Sequence, residues 1–201
     1  MSTREIGKTT DAPAKARERV LAVAYDLFSR RGVRAVGVDT IIEQAGVAKM
    51  TFYRHFPSKN DLILAFLQRR EELWTRRWLE AEVKRRASAP SERLLTIFDV
   101  FHEWFQRSDF EGCSFINVLL EMFDEGNPAK AATTVHLANI RLFLRGLAEE
   151  SRVAEPDDFA RKWHILMKGS IVAAGEGDKL AARRAREIGK LLLDDEFHQN
   201  R

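Results

Sequence analysis

The chain has 201 residues, of which 45% are hydrophobic and 31% are charged, so it can bury a hydrophobic core. No run approaches the roughly 18 consecutive apolar residues of a membrane-spanning helix, and the first residues lack the apolar core of a secretory signal. The single cysteine, Cys113, excludes an intrachain disulfide. These features predict a cytoplasmic protein with one large or two small domains and no contact with membranes.

Positive charge is concentrated in the first third of the chain. Residues 1–60 contain eleven lysines and arginines against six acidic residues, whereas the whole chain has a net charge of only +3. A basic segment joined to a near-neutral remainder indicates that the first third meets a polyanion. Solvated surfaces also carry such an excess, so charge alone does not identify the partner.

The N-terminal third predicts a polar arm followed by three helices. Residues 1–12 are polar and aperiodic, which is typical of a disordered arm. Apolar residues recur at helical spacing from 13 to 31, where two arginines and Gly32 form a stop signal. Two short helices are predicted at 38–45 and 49–55, separated by Gly46.

The remaining two thirds of the chain are also predicted to be helical, because apolar residues recur at helical spacing. No segment shows the alternation of apolar and polar residues that is typical of a strand. The predicted class is all-α with about nine helices. Its predicted domains are a helix-turn-helix domain at 13–57 and an effector-binding and dimerisation domain at 58–201. The later helices are predicted at about 58–86, from 90 to before 109, and at 115–123, 129–151, 156–174 and 179–197.

Residues 38–56 have the pattern of a helix-turn-helix, in which two short helices flank a tight turn. Gly46 can adopt the positive φ that such a turn requires. Ile41 and Phe52 can form a small core that fixes the angle between the helices. The second helix then presents its remaining residues outward, and a helix in the major groove reads bases mainly from its N-terminal residues.

Residues 45–62, Ala-Gly-Val-Ala-Lys-Met-Thr-Phe-Tyr-Arg-His-Phe-Pro-Ser-Lys-Asn-Asp-Leu, resemble the tetracycline-repressor (TetR/AcrR) family of transcription regulators. With Leu27-Phe28 and Arg31-Gly32 upstream, the resemblance covers about residues 13–67. It implies three N-terminal helices, a connecting fourth helix and a helical effector domain that dimerises. The implied partners are a near-palindromic double-stranded DNA operator, a second copy of the chain and a small effector.

The resemblance also implies DNA contacts. Tyr53, His55 and Lys59 would bind phosphates, with Lys59 acting beside the amides that open the fourth helix. Lys49 and Thr51 would approach base edges or the adjacent backbone, and Met50 would add an apolar base contact. The predicted DNA-binding residues are Lys49, Met50, Thr51, Tyr53, Arg54, His55 and Lys59.

Two positions depart from the family pattern. Gly37 stands where a hydroxyl residue usually caps the second helix and touches phosphate, and glycine supplies no side-chain contact. Asp39 stands in the first turn of that helix, where its charge suits the helix dipole but repels phosphate. The second helix is therefore expected to contribute less to DNA binding than is usual in the family.

Enzyme, metal and cofactor functions lack support in the sequence. The segment that starts at His102 lacks the second histidine of a zinc protease, and Gly175-Glu176-Gly177 lacks the further glycine of a dinucleotide loop. No catalytic residue, metal site or cofactor is predicted. The remaining alternative is a ligand-independent nucleoid-binding protein of the same fold, which would show many genomic sites and no response to metabolites.

The effector domain is rich in aromatic residues, which can form a core or the walls of a pocket for an apolar or aromatic effector. A histidine in the position of His136, aligned with apolar residues of its helix, is more often a core histidine than a ligand contact. Cys113 can be a buried thiol or an oxidant sensor, although no second cysteine exists to resolve a sulfenic acid. The predicted ligand-binding residues are Trp74, Trp78, Phe101, His102, Phe105, Asn117, Glu121, His136 and Met167.

The last two helices are apolar on more than one side, so a partner subunit is expected to cover them. The effector would shift the fourth helix, change the separation of the two recognition helices and release the operator, as in a repressor. The predicted dimer-interface residues are Trp163, Met167, Ile171, Ile188, Leu191 and Leu192.

Overall fold

The computed structural model describes residues 11–122, 124 and 126–199, and over these residues the chain forms nine helices and no strand. The predicted all-α fold is thereby confirmed. Residues 1–10 of the predicted arm lie outside the described residues, as does Phe123 at the predicted end of the sixth helix. The helices are α1 (Asp11–Arg31), α2 (Val38–Ala45), α3 (Lys49–His55), α4 (59–86), α5 (Pro90–Gln106), α6 (Ser114–Glu121), α7 (Pro128–Glu150), α8 (Pro156–Gly175) and α9 (Ala181–Gln199).

Helices α1 to α3 form an N-terminal three-helix unit, in which α2 and α3 have the predicted bounds. Gly46 ends α2 in the left-handed region, at φ +60°, and its N–H bonds the carbonyls of the last turn. A side chain with a Cβ would be strained in this conformation, so glycine suits the turn. Helix α1 begins at Asp11, two residues before its predicted start.

Helix α4 connects the N-terminal unit to the rest of the chain. Its start is fixed by a capping box, in which the Ser58 side chain accepts from the Asp61 N–H and the Asp61 carboxylate accepts from the Ser58 N–H. The sequence predicts one regular helix here, but the structure interposes the π-helical segment Glu71–Glu80 between Lys59–Arg70 and Ala81–Arg86. The wider π turn buries Glu71, Trp74 and Thr75 together.

Helices α5 to α9 pack around an apolar core whose largest fully buried side chains are aromatic, among them Phe98, Phe101 and Trp163. Pro90, Pro128 and Pro156 each stand in the first turn of a helix, where a missing N–H costs nothing. Within the described ranges, no helix is long and apolar enough to cross a bilayer.

A buried histidine in α8 predicts acid sensitivity of the fold. His164 is only 3% exposed, and burial, with help from Lys168 and Arg141, lowers its pKa to about 3. At pH values between about 3 and 6.5, this histidine binds a proton in the unfolded chain but not in the folded chain. The free energy of unfolding therefore falls as the pH falls through this range. From pH 7 to pH 5, we expect this group to remove about 2 kcal/mol from the free energy of unfolding.

Urea unfolding at several pH values tests this expectation. His164→Gln should flatten the decline between pH 7 and pH 5, whereas His198→Gln, at an exposed position in α9, should leave it unchanged. Parallel pH profiles for the wild type and His164→Gln would contradict the assignment.

Candidate nucleic-acid interface

Helix α3 is held against the N-terminal unit by an aromatic pair. Phe52 is fully buried and Phe56 is 2% exposed, with their ring centroids 6.0 Å apart. The Arg17 guanidinium of α1 lies 5.1 Å from the Phe56 ring centroid, which adds a cation–π contact. The buried rings fix the direction in which the rest of α3 projects.

The opposite side of α3 is open to solvent. Met50 is 87% exposed and Tyr53 is 41% exposed, although large apolar side chains usually lie inside a fold. The predicted residues that the structure brings together along one shallow concavity are Lys49, Met50, Thr51, Tyr53 and Arg54. A protruding helix with an exposed basic and apolar face has the shape of a groove-reading element.

His55 differs from these residues in its surroundings. It ends α3 at a half-buried position, and its Nε2 atom is buried without a hydrogen-bond partner among the described residues. A phosphate would therefore have to approach the other ring nitrogen, or the ring would have to turn.

Lys59 lies at the start of α4 beside the loop between α1 and α2. Its Nζ atom donates to the Arg34 carbonyl at 3.5 Å, and the Arg34 N–H donates to the Glu121 Oε2 atom at 2.7 Å. Burial lowers the pKa of the Lys59 ammonium, while the Glu121 carboxylate acts in the opposite direction. Glu121, predicted as a ligand-binding residue, thus joins α6 to the N-terminal unit.

Gly37 and Asp39, the two positions that depart from the family pattern, lie at the start of α2. Gly37 caps α2 without a side-chain hydrogen bond. Asp39 lies 3.6 Å from the Lys49 ammonium, and both side chains are largely exposed. An exposed ion pair contributes no more than about 1 kcal/mol, so a phosphate can displace Asp39 at small cost.

The contact between α6 and the N-terminal unit can be tested at Gly32, which has φ +77° and lies against the Glu121 carboxylate. Gly32→Ala would strain the backbone and push the carboxylate away from the Arg34 N–H. We expect it to cost about 1 kcal/mol more in unfolding free energy than Gly112→Ala. Gly112 is the matched control, because it has φ +75° and no atom within 4 Å of an added Cβ.

Urea unfolding measures both glycine variants. In the Glu121→Ala background, the difference between them should disappear, because the displaced hydrogen bond is already absent. Equal costs in the wild-type background would show that the Glu121 contact contributes nothing to stability.

The predicted ligand-binding residues divide among several places. Trp74, Trp78 and Phe101 form one aromatic cluster, with the Trp74 ring centroid 5.4 Å from Trp78 and 6.0 Å from Phe101. Phe105 extends this cluster, its ring centroid 5.7 Å from that of Phe101, and His102 is half-buried on the same helix.

Three further predicted residues lie elsewhere. His136 pairs with the Glu71 carboxylate and stacks on Phe115. Asn117 lines a separate cavity between α6 and α8, and Met167 is 2% exposed in the core. Tertiary packing therefore separates residues that the sequence grouped into one pocket.

The predicted dimer residues need a correction on α8. Trp163 is fully buried, its ring 5.4 Å from Phe98, and Gly189 of α9 lies so close that a Cβ would overlap the indole. Met167 and Ile171, at 2% and 5% exposure, share this core. These three side chains therefore pack within their own subunit and are not available to a partner.

The exposed apolar side chains of α8 and α9 include two that the sequence reasoning missed. Ile165 and Val172, one heptad apart on α8, are 64% and 50% exposed. On α9, Ile188 and Leu191 are 48% and 68% exposed, whereas Leu192 is half-buried. The heptad spacing of Ile165 and Val172 is a local signal in the sequence, whereas Trp163 lies on the buried side of the same helix.

Comparison with known proteins also finds similarity to transcription regulators in the N-terminal segment. Residues 20–66 match the family model described as bacterial regulatory proteins of the tetR family. The transcriptional activator FasR of Mycolicibacterium smegmatis is 47% identical over 53 residues, which cover 26% of this chain and 24% of FasR. The Escherichia coli regulator RutR is 34% identical over 68 residues, covering 34% of this chain and 32% of RutR.

These alignments span about a quarter to a third of the two curated relatives, whereas solved structures match over almost their whole length. A TetR-family regulator from Streptomyces coelicolor superposes with a TM-score of 0.79 at 26% identity, covering 90% of this chain and 96% of that one. A TetR-type regulator from Streptomyces avermitilis gives a TM-score of 0.75 at 28% identity, covering 87% and 98%.

The fold, the projecting α3 and these similarities define a helix-turn-helix DNA-binding transcriptional regulator. The match to the tetR family model covers residues 20–66, and the chain as a whole has the fold of solved TetR-family regulators.

Proposed function

We propose that the protein is a dimeric, sequence-specific repressor that reads duplex DNA with α3 and leaves its operator when a small apolar or aromatic effector binds. The observation that carries the proposal is the contrast between the two sides of α3. Phe52 anchors the helix at zero exposure, while Met50 two residues earlier is 87% exposed. A rigid helix that presents an apolar and basic edge is suited to the major groove.

Base reading falls to the first turn of α3. Lys49 can donate to guanine O6 or N7, while Met50 and Thr51 offer apolar contact to a thymine methyl group. Phosphate contacts fix the register of the helix on the duplex. We assign these phosphate contacts to Tyr53, Arg54, His55 and Lys59.

Residues 13–57 serve as the DNA-binding domain and residues 58–201 as the effector-binding and dimerisation domain in this proposal. We define the apolar stripe of α8 and α9 by the exposed residues Ile165, Val172, Ile188 and Leu191. Because an exposed apolar patch marks an interaction surface, this stripe supports an isologous dimer. Two recognition helices would then meet half-sites about 34–36 Å apart, or farther apart if two dimers share one operator.

Effector action requires unequal affinity for two conformations. Helix α4 is the element that can carry this difference, because it starts at Lys59, to which we assign a phosphate contact, and carries Trp74 and Trp78 of the aromatic cluster farther along. The relative FasR is named an activator, so a promoter-reporter assay with and without the regulator decides the direction of control.

The phosphate assignment is tested by the salt dependence of DNA affinity. Lys59→Ala should weaken binding to all sequences alike and lower the slope of log affinity against log salt by about 1. The matched control is Lys84→Ala, an exposed lysine near the other end of α4, whose slope should equal that of the wild type. Fluorescence anisotropy with operator-sized duplexes at several salt concentrations measures both slopes.

An unchanged slope for Lys59→Ala would remove Lys59 from the phosphate contacts. Failure of the wild-type protein to form a salt-sensitive DNA complex would contradict the proposed function as a whole.

A further inference from the structure

A cleft between the two domains has the composition of a ligand site. It has a volume of about 340 Å³ and lies between α1, the π-helical part of α4 and the end of α5. We call it the interdomain cleft and define it by the lining residues Tyr25, Ser29, Arg70, Trp74, Trp78 and Trp104. Three of the four tryptophans of the chain therefore line one small space. Tyr25 and Ser29 of the same lining come from α1.

The aromatic walls touch one another at ring-contact distances. The Trp74 ring centroid lies 5.4 Å from Trp78 and 5.2 Å from Trp104, and Trp78 lies 5.8 Å from Trp104. Trp78 is only half-buried, so part of its surface faces the open side of the cleft. A planar aromatic group could stack or lie edge-on against such walls.

Two buried donors in this lining have no partner among the described residues. The Ser29 hydroxyl and the Trp74 Nε1 atom are both buried and unbonded, in residues that are each 8% exposed. Leaving a buried polar atom without a hydrogen-bond partner is unfavourable, so such atoms call for an explanation. Both residues line the cleft, so an acceptor group that enters it can bond these atoms after a small movement of their side chains.

One guanidinium around the cleft forms no close ion pair, although it interacts electrostatically with the Glu111 carboxylate from a greater distance. Asp26 lies 2.9 Å from Arg30, which also lies 3.5 Å from Glu111, and Asp109 lies 2.7 Å from Arg107. Across the part of the chain that the structure describes, Arg70 forms no ion pair.

Arg70 is held in the cleft by aromatic contacts instead. It donates to the Tyr25 hydroxyl at 3.0 Å, and its guanidinium lies 5.8 and 5.9 Å from the Tyr25 and Trp74 rings. A guanidinium held in this way keeps further N–H donors that can bond a planar acceptor such as a carboxylate.

From the unpaired guanidinium, the two unsatisfied donors and the tryptophan walls, we infer that the interdomain cleft binds an aromatic carboxylate. The carboxylate would accept from Arg70, Ser29 and the Trp74 indole, while its ring would lie against Trp78 and Trp104. The acidic lining residues Asp26, Asp109 and Glu111 would then repel a second negative charge, which favours monoanions. This inference names the effector class and site for the proposed regulator, and rests on that function only for its effect on DNA.

A ligand in the cleft would lie next to the contacts that join α1 of the DNA-binding domain to α4. Arg70 now links α4 to Tyr25 of α1, and Arg69 next to it pairs with Glu18 of α1. A carboxylate that engages Arg70 competes with the Tyr25 hydroxyl and enters between α1 and α4. Ligand binding would therefore change how the N-terminal unit sits on α4.

Isothermal titration calorimetry with three matched probes tests the inference on the full chain in the absence of DNA. The probes are 2-naphthoate, its neutral amide and the cationic 2-(aminomethyl)naphthalene, which share one ring system. We expect 2-naphthoate to bind at least about 10-fold more tightly than the amide, because a charge-assisted pair with arginine is lost in the amide. The amine should bind more weakly than either.

Variants then assign the donors. Arg70→Gln should abolish the preference for the carboxylate, and Ser29→Ala should weaken 2-naphthoate binding by about 3- to 10-fold. The matched control is Arg77→Gln, on the same helix but outside the cleft lining, which should bind like the wild type. Circular dichroism establishes that each variant is folded, and Arg70→Met, which keeps a long side chain but removes the charge, replaces Arg70→Gln if that variant fails to fold.

The inference is overturned if the wild type does not bind 2-naphthoate, if the amide or the amine binds as tightly, or if Ser29→Ala and the Arg70 variant keep full affinity and preference. DNA affinity is measured separately on the same preparations. Loss of DNA binding alone would contradict the proposed function and leave the ligand site standing.

Discussion

Leu191→Glu is expected to leave the protein monomeric and to weaken operator binding by about 100-fold or more. Leu191 is 68% exposed on α9 and belongs to the apolar stripe that we assign to the dimer. A carboxylate buried there would have no partner, at a cost of several kcal/mol. Once the subunits separate, each recognition helix binds its half-site alone and the gain from bivalent attachment is lost. Sedimentation velocity and DNA titration measure the two effects.

Leu142→Glu supplies the control for charge on an exposed leucine. Leu142 is 60% exposed on α7, outside the stripe of α8 and α9, and its substitution should change neither mass nor DNA affinity. A dimeric Leu191→Glu protein would contradict this interface. If Leu142→Glu alone produced monomers, the interface would have to be moved to α7.

Phe52→Ala is expected to cost about 3–5 kcal/mol in unfolding free energy, the usual range for a fully buried phenylalanine. Phe52 is 0% exposed and contacts Phe56, which connects α3 to α1. Such a loss is a large part of the 5–15 kcal/mol that typically stabilises a protein. DNA binding should fall with it, because α3 would no longer be held in one direction. Urea unfolding and anisotropy titration follow the two properties.

Met50→Ala separates reading from folding on the same helix. Its side chain is 87% exposed, so unfolding free energy should change by no more than about 0.5 kcal/mol. The affinity of the Met50→Ala protein for the preferred sequence should still fall, while its affinity for unrelated DNA should not.

A stable Phe52→Ala protein with unchanged DNA affinity would contradict the packing described for α3.

The N-terminal unit was predictable because its signals are local. Glycines at positions 32 and 46 and the capping box at Ser58 stand at helix ends, and each fixes a boundary through its own backbone chemistry. Helices α2 and α3 accordingly have the predicted bounds. The roles of individual residues on DNA stay predictions.

The π-helical segment and the α8 faces were not predictable in the same way. Apolar spacing identifies a helix but does not distinguish a turn that bonds four residues apart from one that bonds five apart. A helix buried against its own subunit and against a partner is apolar on both sides, so the pattern cannot tell which side belongs to which. Trp163 and Ile165 are only two positions apart, yet they are 0% and 64% exposed.

The grouping of aromatic and polar residues into one pocket depended on contacts between distant segments. Glu121 meets Arg34, 87 positions away, and His136 meets Glu71, 65 positions away. Neither pairing has a local signal in the chain. The interdomain cleft likewise joins residues of α1 to tryptophans of α4 and α5, a combination that only the folded chain reveals.

Selection of bound duplexes from random-sequence DNA most directly tests whether α3 reads the major groove as one half of a dimer. The wild type should enrich a two-fold symmetric motif, and Lys84→Ala should enrich the same motif. The double variant Lys49→Ala, Met50→Ala should lose or alter the motif while keeping its fold. No enriched motif for the wild type, or an identical motif for the double variant, would contradict the reading role assigned to this helix.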